Sequence, residues 1–479
     1  MKKFTKIFIV LLAMLTLVAC GSDKPSGDSD ELTTIVMYLP GDPASNHDDI
    51  VEAVNVIARE EINAELDLKF VNWGEWGTKA NLWLSTGEEG IDIVTTGGLG
   101  DEAFVLNAEK GSLTDITELA KEFAPDALEI LHPAYLEATT VNGKMFGIAA
   151  NANVYGEGIL AVNGVLLEKY DLSIEGIEDL EGLIPLLEVI KENEPSVTPY
   201  WLGDAKQLAG LEYMISDALP FAIDLYGDHD EVINPYTHPT YVENIKKVRK
   251  VYLEGLTNDD PGAVDFPWAS DVWFVNQTET GPSDYETYIL ETVSGRPIEM
   301  ISLQEPVIDK THALMSTMVI PKNSKNAEKA LEFINLMFTN KDVMTTLGYG
   351  VEGENWVKVD GDKLEKTEDY DAGKAYSPWN YGNKMNMYQD VALRDDQIAS
   401  VEAKLETAIV SPLLGFVVDT DSIKSELANI QNVMEKYTQS IHQGIVDTDD
   451  AIEKMQSELD EAGFEKVMEE IKAQYAEYR

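Results

Sequence analysis

Residues 33–96 alternate between short apolar runs and longer amphipathic stretches, and this pattern restricts the fold more than any other feature of the chain. Three runs are rich in β-branched or alternating apolar residues, which is typical of strands: 33–39, 66–71 and 91–96. Two stretches between them have the apolar spacing of amphipathic helices: 48–63 and about 76–85, the second closed by Gly87. This alternating order of three strands and two helices predicts an α/β lobe with a largely parallel sheet.

The loops that follow these strands are the predicted binding region. Ligands of parallel α/β sheets bind beyond the carboxyl ends of the strands, which here point to the loops 40–43 and 96–101. The candidate ligand-binding residues in these loops are Asp42, Thr96, Gly97, Gly98 and Asp101.

The rest of the chain predicts further helices and a second α/β region. Thr114 or Asp115 can cap a helix that begins near Ile116, and Asn142-Gly143 is a hairpin-turn signal. Helices are predicted at about 163–170, 176–193, 207–219 and, as three successive helices, over 422–479. With 479 residues, of which 44% are hydrophobic and 25% charged, the chain is too long for one core, and we expect two lobes.

The charge balance excludes two classes of partner. The formal net charge is −50 at pH 7, and the sequence has no run of Lys and Arg that would form a basic patch. A surface this acidic repels nucleic acid and anionic headgroups, whereas a neutral or cationic ligand is compatible with it.

The single cysteine, Cys20, stands at the end of an apolar run. Lys2, Lys3 and Lys6 precede that run, which covers 7–18 and is too short to span the ~30 Å of a hydrocarbon core. A lone cysteine cannot form an intramolecular disulfide, and the polar residues after it cannot fold by burial. We therefore expect a signal peptide at 1–19, followed by a flexible tether at 20–31.

The segment Leu17-Val18-Ala19-Cys20 resembles the bacterial lipobox, whose cysteine becomes the lipid-modified N-terminus. This resemblance implies lipidation of Cys20 and anchoring to the outer face of a bacterial cell membrane. The null alternative is an ordinary secretory peptide in which the cysteine is incidental.

Several later motifs resemble family 1 extracellular solute-binding proteins, the receptors of ABC importers. They are, in chain order, GSLTDITEL at 111–119, VNGKMFGI at 141–148, AVN at 161–163 with LLEKY at 166–170, and IPKNSKNAEKA at 320–330. SPLLGF at 411–416, GIVD at 444–447 and EAGF at 461–464 resemble the C-terminal domain of one lipoprotein sub-family in that group.

The resemblance implies a two-lobed, periplasmic-binding-protein-like α/β fold that closes over a ligand in the cleft between its lobes. We expect the first lobe at 32–150 and about 318–376, and the second at 151–317 and about 377–479. The implied partners are an ABC permease and a small molecule, with a saccharide as cargo, and the protein is expected to act as a monomer without a cofactor. Residues of the first crossing face both lobes, which adds the candidates Asn151, Asn153 and Tyr155.

Aromatic residues are further candidates, because sugars present apolar faces to aromatic rings and hydroxyls to polar side chains. Tyr200-Trp201 resembles an aromatic pair of maltose-binding relatives, and Trp268 and Trp379, the latter followed by Asn380, lie next to prolines. Trp83 lies in a helical pattern and is assigned to the core. Trp73 and Trp76 are each compatible with a place in the core or in the binding site.

Three other functions are alternatives to solute binding: dinucleotide binding, glycoside hydrolysis and surface adhesion. Gly98, Gly100 and Ala103 follow a strand and formally match a dinucleotide fingerprint, with Glu118 near the spacing of a ribose contact. Among 86 acidic residues some pairs of carboxylates will lie close together by chance, so a secreted glycoside hydrolase remains an alternative function. A surface adhesion lipoprotein is the third class. The six histidines are scattered, and only 228–230 is a tight cluster with acids. The acidic turns at 419–421 and 447–450 lack the EF-hand spacing, and no metal site is predicted. We expect a binding protein and not an enzyme.

Overall fold

The structure is a computed structural model that describes residues 32–99, 101–152, 154–202, 210–258, 271–278, 281–370 and 376–479. The elements up to residue 163 are, in chain order, β1 Thr33–Pro40, α1 His47–Ile62, β2 Ala64–Val71, α2 Trp73–Thr86, β3 Ile93–Thr95, α3 Asp101–Glu109, α4 Leu119–Phe123, α5 Pro125–Ile130, α6 Pro133–Ala138, β4 Thr140–Val141, β5 Lys144–Met145, β6 Gly147–Ala149 and β7 Ile159–Asn163.

The middle of the chain continues with α7 Gly164–Tyr170, α8 Leu180–Asn193, β8 Thr198–Trp201, β9 Leu211–Tyr213, β10 Ala222–Asp224, α9 Pro239–Leu253, β11 Trp273–Thr278, α10 Ser283–Ser294, β12 Ile298–Ser302, β13 Val307–Ile308, α11 Lys310–Leu314 and β14 Thr317–Val319. The last part contains α12 Ala327–Thr339, α13 Lys341–Tyr349, β15 Trp356–Lys358, β16 Lys363–Lys366, β17 Gln389–Asp390, α14 Asp395–Thr407, β18 Ile409–Val410, α15 Lys424–His442, α16 Thr448–Ala462 and α17 Phe464–Tyr478.

The first sheet has the strand order β2-β1-β3-β14-β6. Strands β1, β2 and β3 are parallel, while β14 runs antiparallel to both β3 and β6. Alternate residues of β1, namely Ile35, Met37 and Leu39, are buried beneath the flanking helices, as the period of two along a strand requires. This confirms the predicted α/β lobe with a largely parallel sheet, which we call the first lobe.

The second sheet has the strand order β12-β7-β11-β8, with β8 parallel to β11 and the other pairs antiparallel. Its core includes Leu160, Val162 and Phe274 and packs against α8 and α9. A further core joins β9 and β10 to the C-terminal helices α15, α16 and α17. The second sheet and these helices form what we call the second lobe. No helix among the described residues is long and apolar enough to cross a bilayer.

Three segments run between the lobes and meet in a small hydrogen-bonded hinge. Gly156, in the first crossing, and Val307, in the second, exchange backbone hydrogen bonds of 2.8 and 2.9 Å. The third crossing lies beside the second, because β18 pairs in parallel with β13. The backbone of Ser411 donates to the carbonyl of Ile308 at 2.9 Å.

Residues 376–401 connect the two lobes by packing as well as by sequence. Tyr381, Leu393 and Val401 lie in the core of the first lobe, although the sequence predicts the boundary near 376. Across the lobes, the Tyr288 hydroxyl of α10 donates to Asp390 at 2.7 Å, and Lys366 donates to the same hydroxyl at 2.8 Å. The division at 376 stays a prediction, and this packing favours a boundary later in the chain.

Most of the predicted elements are confirmed, within a few residues at their ends. The Asn142-Gly143 turn joins β4 and β5, with φ of 50° and 75°, as a tight hairpin requires. Two helix predictions are wrong. Asp115 accepts from the Thr117 backbone in a turn, and the helix begins only at Leu119. Within the predicted helix 207–219, residues 211–213 form β9, because they pair with β10.

Candidate functional site

Two tryptophans form a stacked pair at the carboxyl edge of the first sheet. Trp73 begins α2 directly after β2, where the Asn72 side chain caps the helix by accepting from the Gly74 backbone at 3.0 Å. Trp379 comes from the far end of the chain, and its ring lies 5.9 Å from that of Trp73 at an interplanar angle of 10°. Trp73 is 45% exposed, so the pair presents an aromatic surface to solvent.

Gly97 and Gly98, directly after β3, provide the space in which the two rings lie. A Cβ on Gly97 would stand 3.1 Å from the Trp379 ring and 1.9 Å from Oδ1 of Asn380. A Cβ on Gly98 would stand 2.9 Å from the Trp73 ring, and its φ of +77° also favours glycine. The buried Trp76 fixes this loop by donating from Nε1 to the Gly97 carbonyl at 2.8 Å.

The segment 376–383 is held against the first crossing by hydrogen bonds. Ser316 donates to the Asn380 carbonyl at 2.7 Å, and the Asn151 amide group donates to Oδ1 of Asn383 at 2.9 Å. The backbone of Asn151 donates to Gly382 at 2.8 Å. Asn380 is buried, and its Oδ1 has no hydrogen-bond partner among the described residues. The tryptophan pair is therefore supported by side-chain amides and a hydroxyl.

A second aromatic group lies at the end of β2. The rings of Phe70 and Tyr376 are 4.7 Å apart, and Nδ1 of His47 lies 2.5 Å from the Tyr376 hydroxyl. Burial raises the pKa of Tyr376 to about 12, so its hydroxyl is protonated at neutral pH. These residues attach the segment 376–383 to the sheet edge from its other side.

The structure brings together part of the predicted set. Gly97, Gly98, Trp379, Asn380 and Asn151 form the region described above, and Asp42 is exposed after β1 at the same edge. Thr96 is buried beside them, where its hydroxyl accepts from the Thr317 backbone at 2.9 Å. For Asp101 the structure describes only the backbone, which begins α3.

Other predicted residues lie elsewhere. Tyr155 and Tyr200 are fully buried, so neither ring is accessible to a ligand in this conformation. The Tyr200 hydroxyl donates to Gln277 at 3.4 Å, and Trp201 is half-buried beside the Trp273 cluster. Cys20, Asn153 and Trp268 lie outside the described residues.

Sequence reasoning did not select Trp73, Phe70 or Tyr376 for the site. For Trp73 a signal exists, since a residue that opens a helix directly after a parallel strand lies at the ligand edge of the sheet. Phe70 and Tyr376 meet only through the return of the distant segment, which no local pattern predicts. Trp83, assigned to the core, is partly buried against it, and Trp76 is also buried.

The acidic turns have structural partners. Asp447 caps α16 by accepting from the Asp450 backbone at 3.2 Å, and Asp419 accepts from the Asp421 backbone at 2.9 Å. The described residues contain no group of three or more His, Cys, Asp or Glu side chains arranged to hold a metal ion.

Comparison with known proteins adds independent information. Residues 45–344 match the model of the family described as bacterial extracellular solute-binding protein, and 412–479 match a domain of unknown function, DUF3502. A carbohydrate ABC transporter substrate-binding protein of Streptococcus pneumoniae serotype 4 is 35% identical over 99% of this chain and 97% of its own length.

Solved structures agree with this match. The crystal structure of the N-glycan transport solute binding protein NgtS from Streptococcus pneumoniae has a TM-score of 0.87, is 35% identical, and covers 93% of this chain and 99% of its own. The same protein has been solved in complex with Man1GlcNAc and with Man5GlcNAc. The alginate-binding protein AlgQ2, at 17% identity and a TM-score of 0.61 over 94% of this chain and 99% of its own, shares the fold.

These matches confirm the two-lobed fold and an extracellular role. They assign the chain to proteins that bind a solute, which sets aside the hydrolase and the dinucleotide-binding interpretations. The chain belongs to the bacterial extracellular solute-binding protein family.

Proposed function

We propose that this protein captures a saccharide between its two lobes and delivers it to the permease of an ABC importer. The observation on which this rests is the stacked pair of the exposed Trp73 and the half-buried Trp379 at the ligand edge of the first sheet. Stacked rings offer an apolar surface to the C–H face of a sugar, and nearby amides and hydroxyls can bind its rim. The sequence also has no run of Lys and Arg that would form a basic patch for a polyanion.

The relatives support an oligosaccharide that contains mannose and N-acetylglucosamine. The 35%-identical NgtS is an N-glycan transport solute binding protein, and it has been solved in complex with Man1GlcNAc and with Man5GlcNAc. This chain and NgtS align over 93% and 99% of their lengths, which supports the same class of ligand for both. We extend the cargo proposal to that class.

Capture requires no chemistry. A ligand that contacts both lobes stabilises the closed conformation in proportion to the contacts that exist only there. The TM-score is 0.87 with the first NgtS structure, 0.81 with the Man1GlcNAc complex and 0.77 with the Man5GlcNAc complex. This order supports a resting, open conformation for the structure described above, and the closed form is the one that a permease would recognise.

The membrane attachment is part of the same proposal. Cys20, after the apolar run and at the start of the tether 20–31, is the acceptor of a lipid anchor that holds the receptor beside its permease. Two lobes and one cleft in a single chain need no second copy, and we propose that the protein acts as a monomer.

The proposed function is tested by calorimetric titration of the protein, with Cys20 replaced by Ser, against Man1GlcNAc and Man5GlcNAc. Binding of at least one glycan, with the intact glycan recovered afterwards, is the expected result. Maltose and an amino-acid mixture serve as controls for specificity. Absence of binding to either glycan would reject the ligand class, and breakdown of the glycan would reject the receptor.

A further inference from the structure

A buried carboxyl group joins two of the three crossing segments. Glu212 of β9 is 5% exposed, and its Oε1 accepts from the backbone of Lys310 at 2.9 Å, directly after β13. Its Oε2 accepts from the hydroxyl of Ser411, directly after β18. Glu212 thus connects the second lobe to both the second and the third crossing at the point where these segments lie side by side.

The first crossing is packed against the same cluster. Asp309 accepts from the backbone of His312 at 2.9 Å and lies 2.6 Å from its Nδ1, which fixes the imidazole. A Cβ on Gly156 would stand 1.9 Å from Nε2 of His312, so the ring lies directly on the backbone of the first crossing. All three crossings therefore contact one compact group of ionisable side chains.

The surroundings of Glu212 disfavour its charge. Burial and the nearby Asp309 raise the pKa of Glu212 to about 7, against the opposing effects of Lys310 and Ser411. The ammonium group of Lys310 donates to the Met214 carbonyl at 3.3 Å, and Tyr475 of α17 also interacts electrostatically with Glu212. Asp309 is in turn faced by His312, Tyr135 and Tyr226. Glu212 can therefore change charge near neutral pH.

The hydrogen bonds of Glu212 depend on that charge. Both of its described partners donate to it in this arrangement, although the Ser411 hydroxyl could also accept from a neutral acid, and hydrogen bonds to an ionised acceptor are the stronger ones. The Ser411 oxygen already accepts from the Leu413 backbone at 3.0 Å. A neutral carboxylic acid would add its own O–H to this site and would leave the Ser411 hydrogen without its present acceptor.

We propose that Glu212 is a positioning residue for lobe closure, which holds the second and third crossings together when ionised and weakens this connection when protonated. The resting angle between the lobes then depends on pH around neutrality, although no ligand contact is involved. Ionisation costs the folded state free energy because the group is buried, and the same ionisation tightens the hinge. The inference goes beyond ligand capture and does not depend on which solute is bound.

The test measures the distance between the lobes in ligand-free protein. The replacement Cys20→Ser removes the single cysteine, and Glu89→Cys and Glu192→Cys then place a pH-insensitive dye pair on exposed positions of the first and second lobes. We expect the energy-transfer efficiency to titrate between pH 5.5 and 8.5 with a midpoint near pH 7. In Glu212→Gln the transition is lost and the efficiency stays at the low-pH value of the parent protein. In Ser411→Ala one donor to Glu212 is removed. The energy-transfer efficiency of this variant at high pH should move toward the low-pH efficiency of the parent protein.

Two controls make the result specific. A dye pair at Glu89→Cys and Lys121→Cys, both in the first lobe, should not titrate. His312→Gln should retain the transition, because its imidazole is not the proposed titrating group. A flat profile in the parent protein, a transition that persists in Glu212→Gln, or a transition lost only in His312→Gln would each overturn the proposal. No saccharide is used, so this outcome is independent of the proposed cargo.

Discussion

The indole rings of Trp73 and Trp379 lie parallel, with their centroids 5.9 Å apart, although one residue opens the second helix and the other lies in the last quarter of the chain. At this separation a sugar ring has no room between the two indoles. The ligand must therefore meet an outer face or an edge of the pair, and Trp73, at 45% exposure, offers the larger free surface.

Removing either ring should weaken glycan binding. We expect Trp73→Ala and Trp379→Ala each to raise the Kd for Man1GlcNAc by about tenfold, which corresponds to ~1.4 kcal/mol of lost stacking. Trp73→Phe retains a smaller ring and should fall between the parent and the alanine variant. Calorimetric titration measures the three values. An unchanged Kd in both alanine variants would place the sugar elsewhere.

Gly98 and Gly90 form a matched pair for testing whether Gly98 provides the space that the Trp73 ring occupies. Their φ values are +77° and +78°, but a Cβ on Gly90 has open space around it, whereas on Gly98 it would stand 2.9 Å from the Trp73 ring. We expect Gly98→Ala and Gly90→Ala to lose a similar stability from backbone strain, ~1 kcal/mol. Only Gly98→Ala should lose affinity for the glycan. Equal affinities, measured by titration beside urea unfolding, would contradict a positioning role for Gly98.

The contact between α10 and Asp390 of β17 should contribute to the stability of the folded chain. Tyr288→Phe removes the hydroxyl that donates to Asp390 and accepts from Lys366. Since hydrogen bonds to charged groups contribute roughly 1.5–3 kcal/mol, we expect a loss in that range in the free energy of unfolding. Asp390→Asn and the double variant complete a mutant cycle. A coupling energy near zero would mean that the contact is not formed in solution.

Glu212 should also give stability a specific dependence on pH. Its pKa in the folded state is raised from 4.5 to about 7, so the folded protein binds more protons than the unfolded chain between these values. This contribution is fully present below pH 4.5 and is lost as the pH rises through 7. The stability of the parent relative to Glu212→Gln should therefore fall across this window and then stay constant. Urea unfolding at several pH values checks it, and a constant difference would be evidence against burial of the carboxyl group.

The lipid anchor gives a cellular prediction. We expect the parent protein to be recovered with the membrane fraction and Cys20→Ala to be lost from it, because no helix among the described residues is long and apolar enough to cross a bilayer. Fractionation followed by immunoblotting of cells that express either form measures this. Equal amounts of both forms in the membrane fraction would reject Cys20 as the attachment point.

Local patterns were sufficient to predict the three parallel strands and the first two helices of the first lobe. Strand β1 alternates buried and partly exposed residues, α1 begins with Asp48 and Asp49 in its first turn, and α2 ends at Gly87 with φ of +67°. Each of these signals acts within a few residues, and each was readable from the sequence. The predicted helix over 207–219 failed because residues 211–213 are fixed by pairing with β10, which is a non-local contact.

The site was predictable only in part for the same reason. The strand-end rule selected Gly97 and Gly98, and the adjacent proline selected Trp379. The partnership of Trp379 with Trp73 depends on how the segment 376–383 returns to the first sheet, and no periodicity encodes that return. Tyr200 was selected by resemblance, but its ring fills the core of the second lobe.

The packing of distant segments has a consequence for how the chain acquires its structure. The core around β9 and β10 is completed by Phe464, Val467 and Ile471 of α17, and the first core takes in Tyr381 and Leu414. Neither half of the molecule can therefore reach its final packing while the chain is still emerging during synthesis. Contacts between residues this far apart in sequence make folding slow. A chain that stays unfolded for longer can still pass through an export channel.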